Sequence, residues 1–218
     1  MALANAQLKY HGQSQPLPGF EHINRFWDKR LNLPAAKILP GQFYVSRQGE
    51  IISTVLGSCI AACIRDRYLN IGGMNHFMLP TTGMNTDAKD WRLDKASLPL
   101  RYGEWAMEFL INEILKNGGK KQNLEVKIFG GGKILNNMMD IGQRNILFVL
   151  EFLAREELEI VAQDVGDDCP RKVLYFSDSG KVKLKRLRSI HNRTIEEREQ
   201  KYIKEINIEP VQGDIELF

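Results

Sequence analysis

Residues 51–80 read IISTVLGSCIAACIRDRYLNIGGMNHFMLP, and this stretch decides the fold. It reads as three apolar strands in succession. The first breaks at a Gly57-Ser58 elbow that presents the thiol of Cys59. The second runs to the polar turn Arg65-Asp66-Arg67-Tyr68. The third carries the glycine pair Gly72-Gly73 and then the imidazole of His76. A thiol is a good nucleophile only as the thiolate, and a neighbouring histidine is a common way to generate it. A tight hairpin centred between Arg67 and Tyr68 sets position 59 directly opposite position 76. Opposed residues have Cβ atoms roughly 5 Å apart, so thiol and imidazole meet if that register holds. The blander alternative is that Cys59 is a buried small hydrophobe with no chemistry.

The rest of the composition bounds the answer. The chain has 218 residues, 43% hydrophobic and 26% charged, which suits one globular domain. A net charge of +3 does not by itself call for nucleic acid. Three cysteines form no even framework and point to a reducing compartment. No apolar run resembles a signal peptide or a membrane span. A cytoplasmic protein with no direct membrane insertion is expected.

Outward from 51–80, residues 1–35 read as a polar arm with one short helix at Glu21–Leu31. Lys37–Ser46 reads as a strand, Thr81–Leu98 as a long loop, and Tyr102–Lys116 as a helix stopped by Gly118-Gly119. Leu124–Phe129 is a strand running into Gly130-Gly131-Gly132. A helix follows from Gly142 to about Glu156, then a strand over Leu158–Val165. Lys172–Phe176 and Lys181–Leu187 form a hairpin, and a charged helix near Thr194–Lys204 precedes the tail Pro210–Phe218. The expected units are an arm over 1–35, a domain over 36–190 and a C-terminal helix and tail over 191–218. Strands interleaved with a few helices, without a regular βαβ rhythm, predict an α+β fold.

Other motifs are weaker. Cys59 and Cys63 share a strand face but lie about 13 Å apart at strand rise, too far for one zinc ion. The glycine run 130–132 lacks the lysine and hydroxyl of a P-loop. It suits either an anion cradle or close backbone packing. The basic residues of 181–188 alternate with Val182, Leu184 and Leu187, as a solvated strand face does. His11, His22 and His191 carry no assigned role.

Leu56-Gly57-Ser58-Cys59, Gly72 to Pro80, Phe129-Gly130-Gly131-Gly132, Ile141-Gly142-Gln143-Arg144-Asn145 and Asp164-Val165-Gly166 follow one another in this order. Together they resemble the CheD family, the chemoreceptor glutamine deamidases of bacterial chemotaxis, over about residues 37–187. The resemblance implies Cys59 as nucleophile and His76 as base and acid. The family's threonine falls on Ser53, the expected third member, with Thr54 one step later as the alternative. Backbone N–H groups around Gly57 and Ser58 are expected to hold an oxyanion, with Gly130 and Gly131 close to substrate. No metal and no cofactor are implied. The implied fold is packed mixed β-sheets flanked by helices, similar to the catalytic domain of cytotoxic necrotizing factor toxins.

The implied reaction is hydrolysis of glutamine side chains to glutamate on the cytoplasmic helical bundle of chemoreceptors, with methyl ester hydrolysis through the same thioester. A CheC-type phosphatase is a further partner that the family allows. Three other functions stand beside this one. They are a non-catalytic adaptor binding receptors or a phosphatase, a cysteine protease or transamidase using the same dyad, and a metal-binding protein.

Overall fold

Ile51–Leu56 is buried along nearly its whole length, so this strand is enclosed on both faces. What encloses it is a pair of mixed sheets. The computed structural model describes residues 15–81, 98–134, 141–187 and 193–208. In chain order the elements are β1 (Asn24–Asp28), β2 (Leu33–Lys37), β3 (Phe43–Ser46), β4 (Ile51–Leu56), β5 (Ile60–Asp66) and β6 (Ile71–Asn75). Then come α1 (Leu98–Lys116), β7 (Leu124–Gly130), α2 (Ile141–Arg155), β8 (Glu159–Val165), β9 (Arg171–Phe176), β10 (Val182–Arg186) and α3 (Arg193–Ile208). One sheet has the order β1-β2-β4-β9-β10 and the other β3-β6-β5-β7-β8. The β2–β4 and β7–β8 pairs are parallel and the rest antiparallel. This is an α+β architecture.

Helix α1 packs on β3, β5 and β6, and α2 on β5 and β8. Ile52, Val173 and Tyr175 of the first sheet share one apolar cluster with Ile64, Met74 and Ile128 of the second. Buried polar groups fasten the two sheets. Glu50, 1% exposed, accepts hydrogen bonds from Tyr44 (2.6 Å) and Ser46 (2.8 Å) on β3 and from Arg25 (2.7 Å) on β1. Arg171 on β9, fully buried, donates to the carbonyls of Gly130 (2.7 Å), Asp164 (2.8 Å) and Gly166 at the ends of β7 and β8. Buried charges persist only when satisfied in this way.

Several expectations are corrected. The helix at Glu21–Leu31 is the strand β1, closed onto β2 by Asp28, whose side chain accepts the N–H groups of Arg30 and Leu31 (2.9 and 3.0 Å). A turn supplied by one aspartate thus wins over helix propensity. Strand pairing therefore begins inside the stretch read as an arm. The single strand Lys37–Ser46 is split between β2 and β3 by a turn at Gly41, φ 81°. The first and last helices are longer than expected, starting at Leu98 and ending at Ile208. Most of the loop Thr81–Leu98 and the tail Pro210–Phe218 lie outside the described residues.

Candidate active site

Between β4 and β5 the chain leaves one sheet and enters the other. The crossing is Gly57-Ser58-Cys59, so the elbow read from the sequence is the point where the sheets exchange a strand. A Cβ at Gly57 would meet Ile134 Cδ1 at 2.1 Å and Glu199 Oε1 at 2.8 Å, which leaves room only for glycine. The elbow's backbone donors converge on one carboxylate from α3. Glu199 accepts from Gly57 N and Ser58 N (both 2.9 Å), from Ser58 Oγ (2.6 Å) and, longer, from Cys59 N (3.4 Å). Successive backbone N–H groups turned to one side make an anion-binding nest.

His76 follows β6 in the second sheet, at the end where the elbow enters β5. Its Nδ1 is 2.7 Å from Thr54 Oγ1, which is also 3.0 Å from the Ile38 carbonyl. A hydroxyl has one proton, and a carbonyl can only accept. Thr54 therefore donates to Ile38 and accepts from Nδ1–H. That fixes the neutral tautomer with a free lone pair on Nε2, and Nε2 has no partner among the described residues. The Ser53 hydroxyl instead donates to the Ala36 carbonyl (3.2 Å). On β4, then, Thr54 and not Ser53 meets the imidazole. Adjacent strand residues face opposite ways, and the parity of β4 is set by the crossing into the second sheet.

The direct Cys59–His76 pairing is also corrected. The observed register pairs Asp66 with Ile71, Cys63 with Met74 and Ile60 with Phe77. Carried one residue either side of that last bridge, it sets Cys59 against Met78 and His76 against Ala61. The two chemical residues keep a common face but are diagonal neighbours. The cause is Asp66, whose side chain accepts from Tyr68 N (2.9 Å) and Leu69 N (3.2 Å) and from Lys120 N (3.0 Å) and Asn123 Nδ2 (3.1 Å). It holds a wider turn than a tight hairpin and moves the pairing by two positions.

The glycine run serves the elbow as backbone packing. Gly131 N donates to Cys59 O (2.8 Å) and Gly132 N to Gly57 O (2.7 Å). A Cβ on Gly130, φ 114°, would fall 2.0 Å from Cys59 O. The N–H of Gly131 is therefore committed to a carbonyl rather than offered to an anion. Asn145 is a supporting residue that the sequence did not single out beyond its helix start. Its amide donates to Ser58 O (2.8 Å) and accepts from Leu79 N (2.9 Å), tying the elbow to the chain just past His76. Asn75 accepts from Ala62 N (2.8 Å) and donates to Ala106 O (3.0 Å), replacing ladder bonds beside His76. Cys63 is a buried free thiol opposite Met74 and Lys127. Asp167, Asp168 and Cys169 bring ligand atoms within 4.8 Å of one another, but Asp167 is already paired with Arg186 (3.1 Å).

Cys59 is 0% and His76 1% exposed. Burial, followed by the charge of Glu199 and a hydrogen bond to it, pushes the thiol well above its ordinary range. Burial, followed by the charge of Arg198, lowers His76 from 6.5 to about 3. Below pH 6.5 the unfolded chain takes up a proton that the folded chain refuses. Stability contributed by neutral His76 is therefore full above 6.5 and is lost as pH falls toward 3. Between pH 7 and 5 the wild-type chain should lose about 2 kcal/mol more than His76→Gln. Urea midpoints at the two pH values check this, and equal losses in both chains would place the titrating group elsewhere.

A thiol on a glycine elbow next to a backbone anion nest, with an imidazole held by a hydroxyl on the same sheet face, is an arrangement that can carry cysteine-nucleophile chemistry. Comparison with known proteins narrows this class. The family model for CheD chemotactic sensory transduction matches residues 78–186. A Halorhodospira halophila protein named "Probable chemoreceptor glutamine deamidase CheD" is 51% identical over 202 residues, covering 93% of each chain. Proteins of the same name from Hahella chejuensis and Saccharophagus degradans are 47% and 46% identical. The first alignment covers 98% of this chain and 99% of the relative, the second 99% and 96%. The chain belongs to the CheD family.

Proposed function

We propose that this chain hydrolyses glutamine side chains of chemoreceptors to glutamate and releases ammonia. The reading is supported by the names of its relatives and carried by one observation, the convergence of Gly57 and Ser58 N–H groups on a carboxylate beside Cys59. Glu199 Oε1, which accepts from Gly57 N (2.9 Å) and Cys59 N (3.4 Å), stands in for the oxyanion of a tetrahedral intermediate, while Ser58 N and Oγ hold the second oxygen.

In the proposed sequence His76 Nε2 takes the Cys59 proton and the thiolate attacks the amide carbon. The elbow N–H groups hold the oxyanion. The imidazolium returns its proton to the departing nitrogen, ammonia leaves, and a thioester remains. Water, deprotonated by the same Nε2, attacks the thioester and releases glutamate and the thiol. A γ-glutamyl methyl ester would follow the same path with methanol leaving. Thr54 serves as the positioning hydroxyl. No metal or cofactor has a part in this scheme.

The finer expectations belong to the same proposal. The substrate is a helical bundle, a CheC-type phosphatase is a further partner, and the chain works in the cytoplasm. No helix among the described residues is long and apolar enough to cross a membrane. The two mixed sheets with their helices fit a likeness to the cytotoxic necrotizing factor catalytic domain. Ammonia release from a receptor cytoplasmic fragment tests the reaction. Binding without ammonia would instead favour an adaptor, and backbone cleavage or crosslinking a protease or transamidase.

Thr54 and Ser53 separate cleanly in the same assay. One neutral hydrogen bond is worth about 1 kcal/mol, so Thr54→Ala should slow turnover roughly fivefold. Thr54→Ser should recover most of that rate, because it keeps the hydroxyl. Ser53→Ala should stay near wild type. The reverse order would return the third role to Ser53.

A further inference from the structure

A carboxylate that is 0% exposed is costly unless every oxygen is satisfied, and Glu199 meets that requirement by using the site's own donors. It is carried by α3, the only described element that follows β10. The helix is seated along one face. Ile195, Ile203 and Ile206 are buried at helical spacing on either side of Glu199. Arg198 donates to Val55 O (2.8 Å), Tyr202 is hydrogen-bonded to Tyr102 on α1, and Asn207 donates to Thr81 Oγ1 (2.8 Å). These contacts span from the end of β4 to the chain beyond His76.

With α3 in place no catalysis of the proposed kind is possible. The nest is filled, the thiol has no exposed surface, and the Glu199 charge opposes the thiolate. His76 Nε2, buried and unpartnered among the described residues, is oriented for a reaction that the seated helix prevents.

We infer that α3 is an internal occupant of the active site, with Glu199 filling the anion nest, and that its seat is the docking surface for a substrate helix presenting a glutamine where α3 presents Glu199. The inference rests on the deamidase reading for the identity of the competing helix. It does not rest on that reading for the occlusion itself. An amphipathic helix bearing an amide can replace α3 residue for residue. Its carbonyl oxygen would take the place of a Glu199 oxygen in the nest, and its neutral nitrogen would relieve the charge facing Cys59. Receptor modification then depends on competition between two helices for one seat.

Two full-length variants test this, Glu199→Ala and Ile203→Ser. The first empties the nest and the second loosens the seat. Iodoacetamide labelling, read residue by residue with mass spectrometry, reports access to Cys59, while Cys63 in the core reports intact folding. Both variants should label Cys59 at least about tenfold faster than wild type with Cys63 still protected. Both should also deamidate a receptor fragment faster at low substrate, with a lower KM. The inference is overturned if Cys59 labelling is unchanged, if Cys63 becomes equally reactive in both variants, or if faster labelling comes with slower deamidation. Any of these would make α3 a fixed part of the fold or of the site. Faster labelling of Cys59 with no deamidation by any chain, wild type included, would leave the occlusion standing and remove the deamidase reading.

Discussion

Cys59→Ala is expected to abolish deamidation of a receptor fragment while the chain remains folded. The loss should be on the order of 10⁴-fold or more, since removing a nucleophile leaves only binding and the oxyanion nest. The substitution deletes one sulfur atom from a fully buried position. The elbow's bonds to Gly131, Gly132 and Asn145 are to backbone atoms and persist in alanine. Cys63→Ala is the matched control. It removes a thiol from the middle of β5, where neighbours on β6 and β7 enclose it. It should cost stability, roughly 1 kcal/mol, and leave turnover within about twofold. Thermal melts beside the rate assay separate the two effects. A dead Cys63→Ala with an active Cys59→Ala would transfer the chemistry to the second thiol.

His76→Ala is expected to come next in size. One imidazole is asked to take the thiol proton, protonate the leaving nitrogen and activate water. General acid–base catalysis is worth about 10²- to 10⁴-fold for a single transfer, and loss of all three should reach the upper end. Binding of the receptor fragment should be retained, since the elbow and the seat of α3 are untouched. The Thr54 hydroxyl keeps its bond to the Ile38 carbonyl and is not orphaned. A kcat reduced less than tenfold would deny His76 its role. A large loss confined to KM would assign it to substrate binding instead.

The strands from residue 51 to 80 were readable because their apolar runs and their Gly-Ser and polar breaks are local signals. The same holds for the helices expected over Tyr102–Lys116 and from Gly142 to about Glu156, whose periodicity is strong. They are found at Leu98–Lys116 and Ile141–Arg155, so the first turn of the former precedes its expected start. The hairpin register was not readable to the residue. It depends on Asp66 reaching Lys120 and Asn123, more than fifty positions away. The choice between Ser53 and Thr54 was not readable either. Both are hydroxyls on one strand, and which face meets His76 follows from how the chain crosses between the sheets. Glu199 was the least visible. Glu196, Glu197, Glu199 and Glu205 share one charged helix, and only packing shows which of them enters the core. The glycine run was legible as a feature but open in meaning, until the carbonyls of Gly57 and Cys59 accounted for its N–H groups.

The central claim is that Cys59 turns receptor glutamines into glutamates. Peptide mass spectrometry of a receptor cytoplasmic fragment, incubated with wild-type chain or with Cys59→Ala, tests it most directly. Specific glutamines should gain about 1 Da with the wild-type chain and remain unchanged with the variant. Unmodified glutamines with both chains, or the same gain with both, would contradict it.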